Sequence, residues 1–415
     1  MKFYKDKKGI TFIEILIVLS VIVILLSFFL FIWNKSNFAS KARDAKRIND
    51  LQLIDLTLKT ILSTGEDIYL GEENIIYTSL PDSSFTCSNY NLTKIFPPFS
   101  YRCKRINSYL NLNGSGWIPV DFSLSQTISF KSLPVDPLNN EEYFYTYQVK
   151  NGKYKLTAKL EDPGNYLKLS NDGGFEPNLY EVGTYLDFPS PQSGLVLYFS
   201  FEEGIGTTTK DLSGYNNNGI LLDASTTNSD GNTPPLWTTG KIGRALIFDG
   251  TDDYVYVTHS PSLPVSTFTI VSWINLTLNG RDQKILSKCR QNSPTHGYKT
   301  GVYTDNRIET EIRTGGSPLY VNNRYRGQVR FSTGTWYYTV SFAGEGKLGN
   351  YVNSNLDSFI YTDRVAFSGT SPLLVARECH DASSWLIFSG IIDELRVYNR
   401  LLSDIEIKAL YEASK

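Results

Sequence analysis

Glycoside cleavage needs two carboxylates at a fixed separation, usually offered from alternate positions of one strand. No Glu-x-Asp-x-Glu-like strand stands out in this chain; "SDIEIK" (403–408) comes nearest, and its setting reads as a helix. Nucleophilic catalysis finds no better footing. His259, His296 and His380 are the only histidines, and none lies near a glycine-flanked serine. His296 in "SPTHGY" and His380 in "ECHDAS" read as loop residues. Cys87, Cys103, Cys289 and Cys379 form no Cys-x-x-Cys pair and have no histidine at ligand spacing, which argues against zinc. Of their three possible pairings, Cys87–Cys103 with Cys289–Cys379 keeps each bridge within one domain; the alternative is four buried thiols. The chain therefore reads as a non-enzyme. One titratable group remains conspicuous: Glu14, alone inside "GITFIEILIVLS".

The elements around Glu14 explain why it matters. The leader "MKFYKDKKG" is basic, and the 24 residues from Ile10 to Trp33 are apolar apart from Glu14 and a few hydroxyls. As a helix they would reach about 36 Å, enough to cross a bilayer. The lysines should stay cytoplasmic and the remaining mass go outward. No small-residue cleavage site follows Trp33, so the segment reads as a retained anchor rather than a secretory signal. An ionised carboxylate in hydrocarbon costs several kcal/mol unless paired, roughly, so a partner cation is implied.

"KKG" followed by "ITFIEILIVLSVIVILL" resembles the class III signal of type IV pilins and pseudopilins. The resemblance implies cleavage after Gly9 by a prepilin peptidase and methylation of the new N-terminus at Ile10. It also implies pairing of Glu14 with the terminal amine of a neighbouring subunit. Ile10 departs from the family, which most often has Phe there. Apolar residues at Phe38, Ala42, Ala45, Ile48, Leu51, Ile54, Leu58 and Ile61 continue the helix as one stripe. Lys41, Arg43, Asp44, Lys46, Arg47 and Asp50 fall opposite and read as a solvated face just outside the membrane. A net charge of −2 gives no global reason to bind nucleic acid.

With 27 Tyr, 23 Phe, 31 Gly and a single Met, the rest of the chain favours strands and turns. "YFYTYQV" and "KYKLTAKL" flank Asn151-Gly152 as a hairpin. Residues 34–162 resemble the helix and small α+β head of pilin-like proteins. That resemblance implies a Ca²⁺ loop at Asp136, Asn139 and Asn140; an Asp-Pro/Asn-Asn turn is the alternative. Residues 163–194, rich in Pro, Gly, Asn and Asp, read as a linker.

From residue 195 to 415 the pattern changes to short strands and reads as an all-β sandwich. "GLVLYFSFEEGIGTTTKDLSGYNNNGIL", "GKIGRALIFDGTDDYVYV", "FTIVSWINL" and "GIIDELRVYNRLLSDIEIKALYEA" resemble, in order, the concanavalin A-like, laminin G-like jelly rolls. That resemblance implies a structural Ca²⁺ held by Asp211, Asn216, Asn218 and Asp393; an ordinary turn is the alternative. Trp385, Tyr298, Tyr320 and Tyr325 are candidate loop aromatics for glycans. Arg313, Arg324, Arg326 and Arg330 form a local positive loop.

The expected protein is multidomain: leader 1–9, transmembrane and filament-core helix 10–33, pilin-like helix and head 34–162, linker 163–194, sandwich 195–415. It would sit as a single pass in the inner (cytoplasmic) membrane before assembly into a cell-surface filament. There, as a minor pilin subunit beside other pilin subunits, it would display a lectin-like domain for adhesion to a surface glycan or protein. The alternatives are a pseudopilin of type II secretion or DNA uptake, and a membrane-anchored glycan-active enzyme.

Overall fold

A computed structural model describes residues 12–63, 68–95, 97–124, 130–190, 193–223, 233–263, 266–290, 293–314, 322–363, 370–379 and 386–415. Helix α1 runs Phe12–Leu62. Among the described residues, no helix is long and apolar enough to cross a membrane. Helix α1 has described side chains at residues 12–13, 16–23 and 38–62. It presents Leu51, Ile54, Leu58 and Ile61, each at most 1% exposed, to a five-stranded sheet. Spacings of three and four put these side chains on one helix face. The sheet is ordered β2 (Ser100–Lys104), β1 (Ile75–Pro81), β3 (Tyr145–Lys150), β4 (Lys153–Ala158) and β5 (Tyr180–Gly183). β1 and β2 run parallel and the other pairs antiparallel. Asn151 and Gly152 take positive φ at the β3–β4 turn, as a two-residue hairpin demands.

The polar face of α1 is only partly solvated: Lys41 and Lys46 are exposed and the rest is covered. Arg47 is 0% exposed, Asp44 1% and Asp50 7%. Arg47 reaches Asp136, Asp44 and Glu161 at once, while Arg43 takes the other side of Glu161 at 2.5 Å. Asp44 also accepts from the backbone N–H groups of Glu161 and Asp162. An α-helix can bury charge only where partners arrive, and here they come from residues 136 and 161, far along the chain.

The presumed linker is structured as well. Residues 163–194 hold the short helix α2 (Tyr166–Ser170) and strand β5, which completes the head's sheet. Buried Lys155 on β4 pairs with Glu181 on β5 at 2.6 Å. Polar composition suggested a linker, but the polar groups are matched to each other inside the head.

Two eight-stranded sheets follow. Sheet I is ordered β19 (Asn355–Tyr361), β18 (Lys347–Val352), β17 (Trp336–Gly344), β12 (Phe268–Leu276), β21 (Ser389–Tyr398), β10 (Arg244–Asp249) and β9 (Leu236–Thr239), with β6 (Leu195–Phe199) also paired to β21. Sheet II is ordered β16 (Asn322–Arg330), β15 (Arg307–Thr314), β14 (Ser293–Val302), β13 (Gln283–Arg290), β20 (Leu373–Val375), β11 (Asp253–Val257), β8 (Gly219–Asp223) and β7 (Thr208–Thr209). Between them lies a core that includes Phe268, Ile270, Ile274, Leu395 and Val397. Burying each such side chain contributes roughly 1.5–3 kcal/mol. Both disulfides, Cys87–Cys103 and Cys289–Cys379, are formed.

The outer side of sheet I is covered too. Val271 and Trp273, pointing away from the sandwich core, meet Ile407 and Leu410 of α3 (Asp404–Ser414). Trp273 stacks on Tyr411 and its indole N–H donates to Ser414 Oγ at 3.0 Å. Ser403 and Glu406 close a capping box at the start of α3. The other flank of α3 faces the head, where Ala409 joins the core under α1 and Lys408 sits 4.2 Å over the Tyr166 ring. One helix thus belongs to two cores.

Candidate functional site

Strand β15, "RIETEIRT", carries Glu309 and Glu311 at alternate positions, so both project from the face of sheet II opposite the core. Ile308, Thr310 and Ile312 turn inward between them. The register builds two charged rows across neighbouring strands. In one, Lys299 of β14, Glu311 of β15 and Arg324 of β16 stand directly opposite one another. In the other, Lys284 of β13 and Arg326 of β16 flank Glu309, with Gly301 of β14 in the gap. Opposite charges on facing positions stabilise such a pairing.

The contacts follow the register. Glu309 accepts from Arg326 at 2.9 Å and faces Lys284 at 3.7 Å. Glu311 pairs with Arg313 and with Arg324 at 3.2 Å. Lys299 pairs with Glu378, next to the Cys289–Cys379 bridge. The carboxylates and lysines are nearly sealed from solvent, whereas Arg324 and Arg326 keep about a third of their side chains exposed. Burial lowers the Lys299 ammonium to about 7, against the pull of Glu311. Burial alone would raise Glu311, but Lys299, Arg313 and Arg324 together hold it below the ordinary range. A glycosidase acid needs the opposite: a carboxyl kept protonated near neutrality. This face is arranged to hold charge, with two arginine heads left within reach of a ligand.

Sequence reasoning missed the Glu309–Glu311 pair, although "IETEI" carries the alternating signal with two acids rather than three. It also misplaced the arginines. Arg313 lies on β15, and Arg324, Arg326 and Arg330 on β16, so they belong to strands rather than a loop. Tyr298 is another correction: it is wholly buried on β14 and stacks on Phe268 at 4.3 Å. Tyr325 packs half-buried against the same core. Trp385, Tyr320, His380 and the His296 side chain lie outside the described residues. His259 Nδ1 sits 3.2 Å from Lys288 Nζ, and burial pulls that lysine down to about 8.

Asp211, Asn218 and Asp393 of the calcium set expected in the sandwich are each engaged by the protein's own donors. Asp211 takes four donors: the N–H groups of Tyr198, Ser213 and Asn217, and the Ser213 hydroxyl. Two carboxylate oxygens have about four lone-pair sites, so these are filled. Asn218 accepts from the Asp211 N–H, and Asn216 takes a positive φ in the same turn. Asp393 is 0% exposed on β21, accepts from Ile242 N–H and Glu394 N–H, and is raised by burial to about 7. Its partners and those of Asp211 come from different segments.

In the head, Asp136 is occupied by Arg47 and the Leu138 N–H, and Asn139 exchanges two hydrogen bonds with Ser79. Asn140 caps its own turn by accepting from Glu142 and Tyr143 N–H groups. A different trio, Asp249, Asp252 and Asp253, brings carboxylate oxygens within 4.8 Å of one another. Oxygen-only ligands suit a hard cation. The same residues also brace their turn, since Asp253 accepts from Asp249 N–H and Asp249 from Thr251 N–H.

Gly9 and Ile10, the expected cleavage and methylation positions, lie outside the described residues, as does the Glu14 side chain. Farther along the same stretch, Leu16 to Leu19 and Val21 to Val23 expose 46–60% of their surface, and Phe12 and Ile13 expose more.

Residues 249–408 match Laminin_G_3, of the concanavalin A-like lectin/glucanases superfamily. No curated protein matches the chain. Among solved structures, the chain is 16% identical to domain 4 of AbnA, an extracellular arabinanase of Geobacillus stearothermophilus solved with arabinotriose. That alignment covers 53% of this chain and 98% of the other, with a TM-score of 0.41. The binding domain of Paraclostridial Mosquitocidal Protein 1 is also 16% identical over 53% of this chain and 52% of its own, with a TM-score of 0.41. The CBM40 of a Ruminococcus gnavus sialidase, bound to α2,3-sialyllactose, is 14% identical over 40% and 96%, with a TM-score of 0.36. The C-terminal region of the chain is a two-sheet β-sandwich, within which residues 249–408 match the concanavalin A-like, laminin G-like family model.

Proposed function

We propose that this chain is a type IV pilin-like subunit, cut after Gly9 and held in the cytoplasmic membrane through residues 10–33 until it enters a surface filament. There it carries the sandwich outward as a binding domain that performs no catalysis. The observation behind this reading is the division of α1. From Leu51 to Ile61 its apolar stripe is the spine of the head, whereas Phe12, Ile13, Leu16 to Leu19 and Val21 to Val23 leave apolar side chains open. An open apolar helix face in water is costly at roughly 25 cal/mol per Å², and lipid or neighbouring copies of the same helix would cover it. Glu14 within that stretch supplies the anion, and Ile10 after cleavage the cation, for a subunit-to-subunit pair.

The test is co-expression with a prepilin peptidase and a pilus assembly system. Mass spectrometry of the product should show an N-terminus at a methylated Ile10. Glu14→Ala should still insert into the membrane and fail to enter filaments; unchanged incorporation would return the segment to a plain anchor.

A further inference from the structure

On the outer side of sheet I, Phe342 of β17, Gly349 of β18 and Phe359 of β19 stand in one cross-strand row. A Cβ at Gly349 would lie 2.5 Å from the Ser358 carbonyl oxygen and 2.6 Å from both the Phe342 ring and Phe359, so only glycine lets the two aromatic side chains close over β18 there. Tyr361, two residues beyond Phe359 on the same strand face, is 77% exposed and meets Phe359 edge-on at 5.4 Å. Tyr351 forms part of the floor and is fixed by its hydroxyl, which donates to Asp404.

The head supplies the opposite wall with Glu142 and Lys159, 3.2 Å apart, while Glu345 and Lys347 rim the sandwich side. The groove holds about 710 Å³, within the range of pockets that take a small ligand.

Its lining narrows the choice of occupant. A wholly apolar helix would strip water from the rim charges Glu142, Lys159, Glu345 and Lys347 without replacing it, and a strongly charged partner would meet both signs interleaved, with Asp404 and the Arg400–Glu406 pair also in the lining. A neutral sugar has apolar ring faces for aromatic side chains and hydroxyls for both carboxylates and ammoniums.

We propose that this interdomain groove binds a neutral oligosaccharide, with pyranose or furanose rings laid on Tyr361 and Phe359 and hydroxyls directed to the Glu142–Lys159 and Glu345–Lys347 walls. This rests on the reading of the sandwich as a ligand-binding domain and adds a site on the face turned toward the head. The charged rows of sheet II lie on the other side of the sandwich.

Full-length protein in a non-sugar detergent is applied to an array of neutral cello-, xylo-, arabino-, manno- and chito-hexaoses beside sialylated and sulfated glycans. Binding to at least one neutral hexaose is expected, falling tenfold or more in both Phe359→Ala and Tyr361→Ala. These are exposed positions, so thermal midpoints should stay within a degree or two of the parent. Retained affinity in the Phe359→Ala/Tyr361→Ala double variant would overturn the groove and leave the binding-domain reading standing, with the ligand elsewhere. Capture of acidic glycans alone would overturn it in the same way. Failure of the parent protein to bind any glycan on the array would remove the glycan-binding reading and the groove together.

Discussion

Arg47 and Asp136, 89 residues apart, meet as a two-point pair: Nε donates to Oδ2 at 2.6 Å and Nη2 to Oδ1 at 3.0 Å. Neither side chain reaches solvent. The pair ties the helix to the loop ahead of β3, with Tyr143 4.7 Å from the guanidinium. Removing one partner of a buried pair strands the other, a larger loss than the pair's net worth.

Asp136→Ala should therefore destabilise the head by about 3–5 kcal/mol. Urea unfolding followed by tyrosine and tryptophan fluorescence measures this. EGTA should leave the parent's midpoint unchanged, because Arg47 fills the place a cation would need. A calcium-dependent midpoint that persists when Asp249, Asp252 and Asp253 are replaced by Asn would reinstate a metal at this loop.

Stability should also depend on pH through the acids beside Lys155. Burial, aided by Glu181, raises Asp172 and Glu176 each to about 7. Their folded values lie above the unfolded ones, so between about pH 4 and 7 the folded state holds protons that the unfolded state has released. The associated stability is full below about pH 4 and declines up to about pH 7, at roughly 1.4 kcal/mol per pH unit for each group. Glu176→Gln should flatten that decline and raise the thermal midpoint at pH 8 more than at pH 5. A parallel rise at both pH values would show that Glu176 does not titrate with folding.

The two disulfides should differ in worth. Cys289 and Cys379 are 90 residues apart, Cys87 and Cys103 only 16. In the chain-entropy account, losing the longer crosslink costs about 1.5 kcal/mol more. Paired Cys→Ser variants compared by urea midpoint provide the measurement. Equal losses would point to local packing rather than loop closure as the dominant effect.

No turnover is expected from Glu309 and Glu311. A polysaccharide panel incubated with the full chain should release no reducing ends. Glu311→Gln should lower the melting temperature instead, since Arg313, Arg324 and Lys299 lose their shared anion. Reproducible cleavage abolished by Glu309→Gln or Glu311→Gln would make this face an active site.

What the sequence revealed was local periodicity. The alternation in "FTIVSWINL" separates Phe268, Ile270 and Ile274 from Val271 and Trp273, and the structure buries the two sets in different cores. Ser403 with Glu406 three residues later has the spacing of a capping box, and Asn151-Gly152 that of a hairpin turn; both form. What stayed hidden depended on distant partners. Nothing near Arg47 in sequence says that Asp136 and Glu161 will enclose it, so a buried network looked like a wet helix face. For the same reason residues 163–194 looked like linker: their acids find Lys155 only after β4 and β5 pair. Asp211 shows the converse, since a ligand-like spacing also builds a turn, its carboxylate accepting from the N–H groups of Tyr198, Ser213 and Asn217 and from the Ser213 hydroxyl.

The position of α3 sets how the molecule would bear load. A pull on the sandwich, transmitted toward the head, does not run through the backbone at residues 193–195 alone. It is shared by Arg400 holding the Ser193 carbonyl, Asn399 holding that of Lys94, and Ala409 seated under α1. These contacts act side by side, so they must yield together rather than one after another, and the joint resists shear as a rivet does.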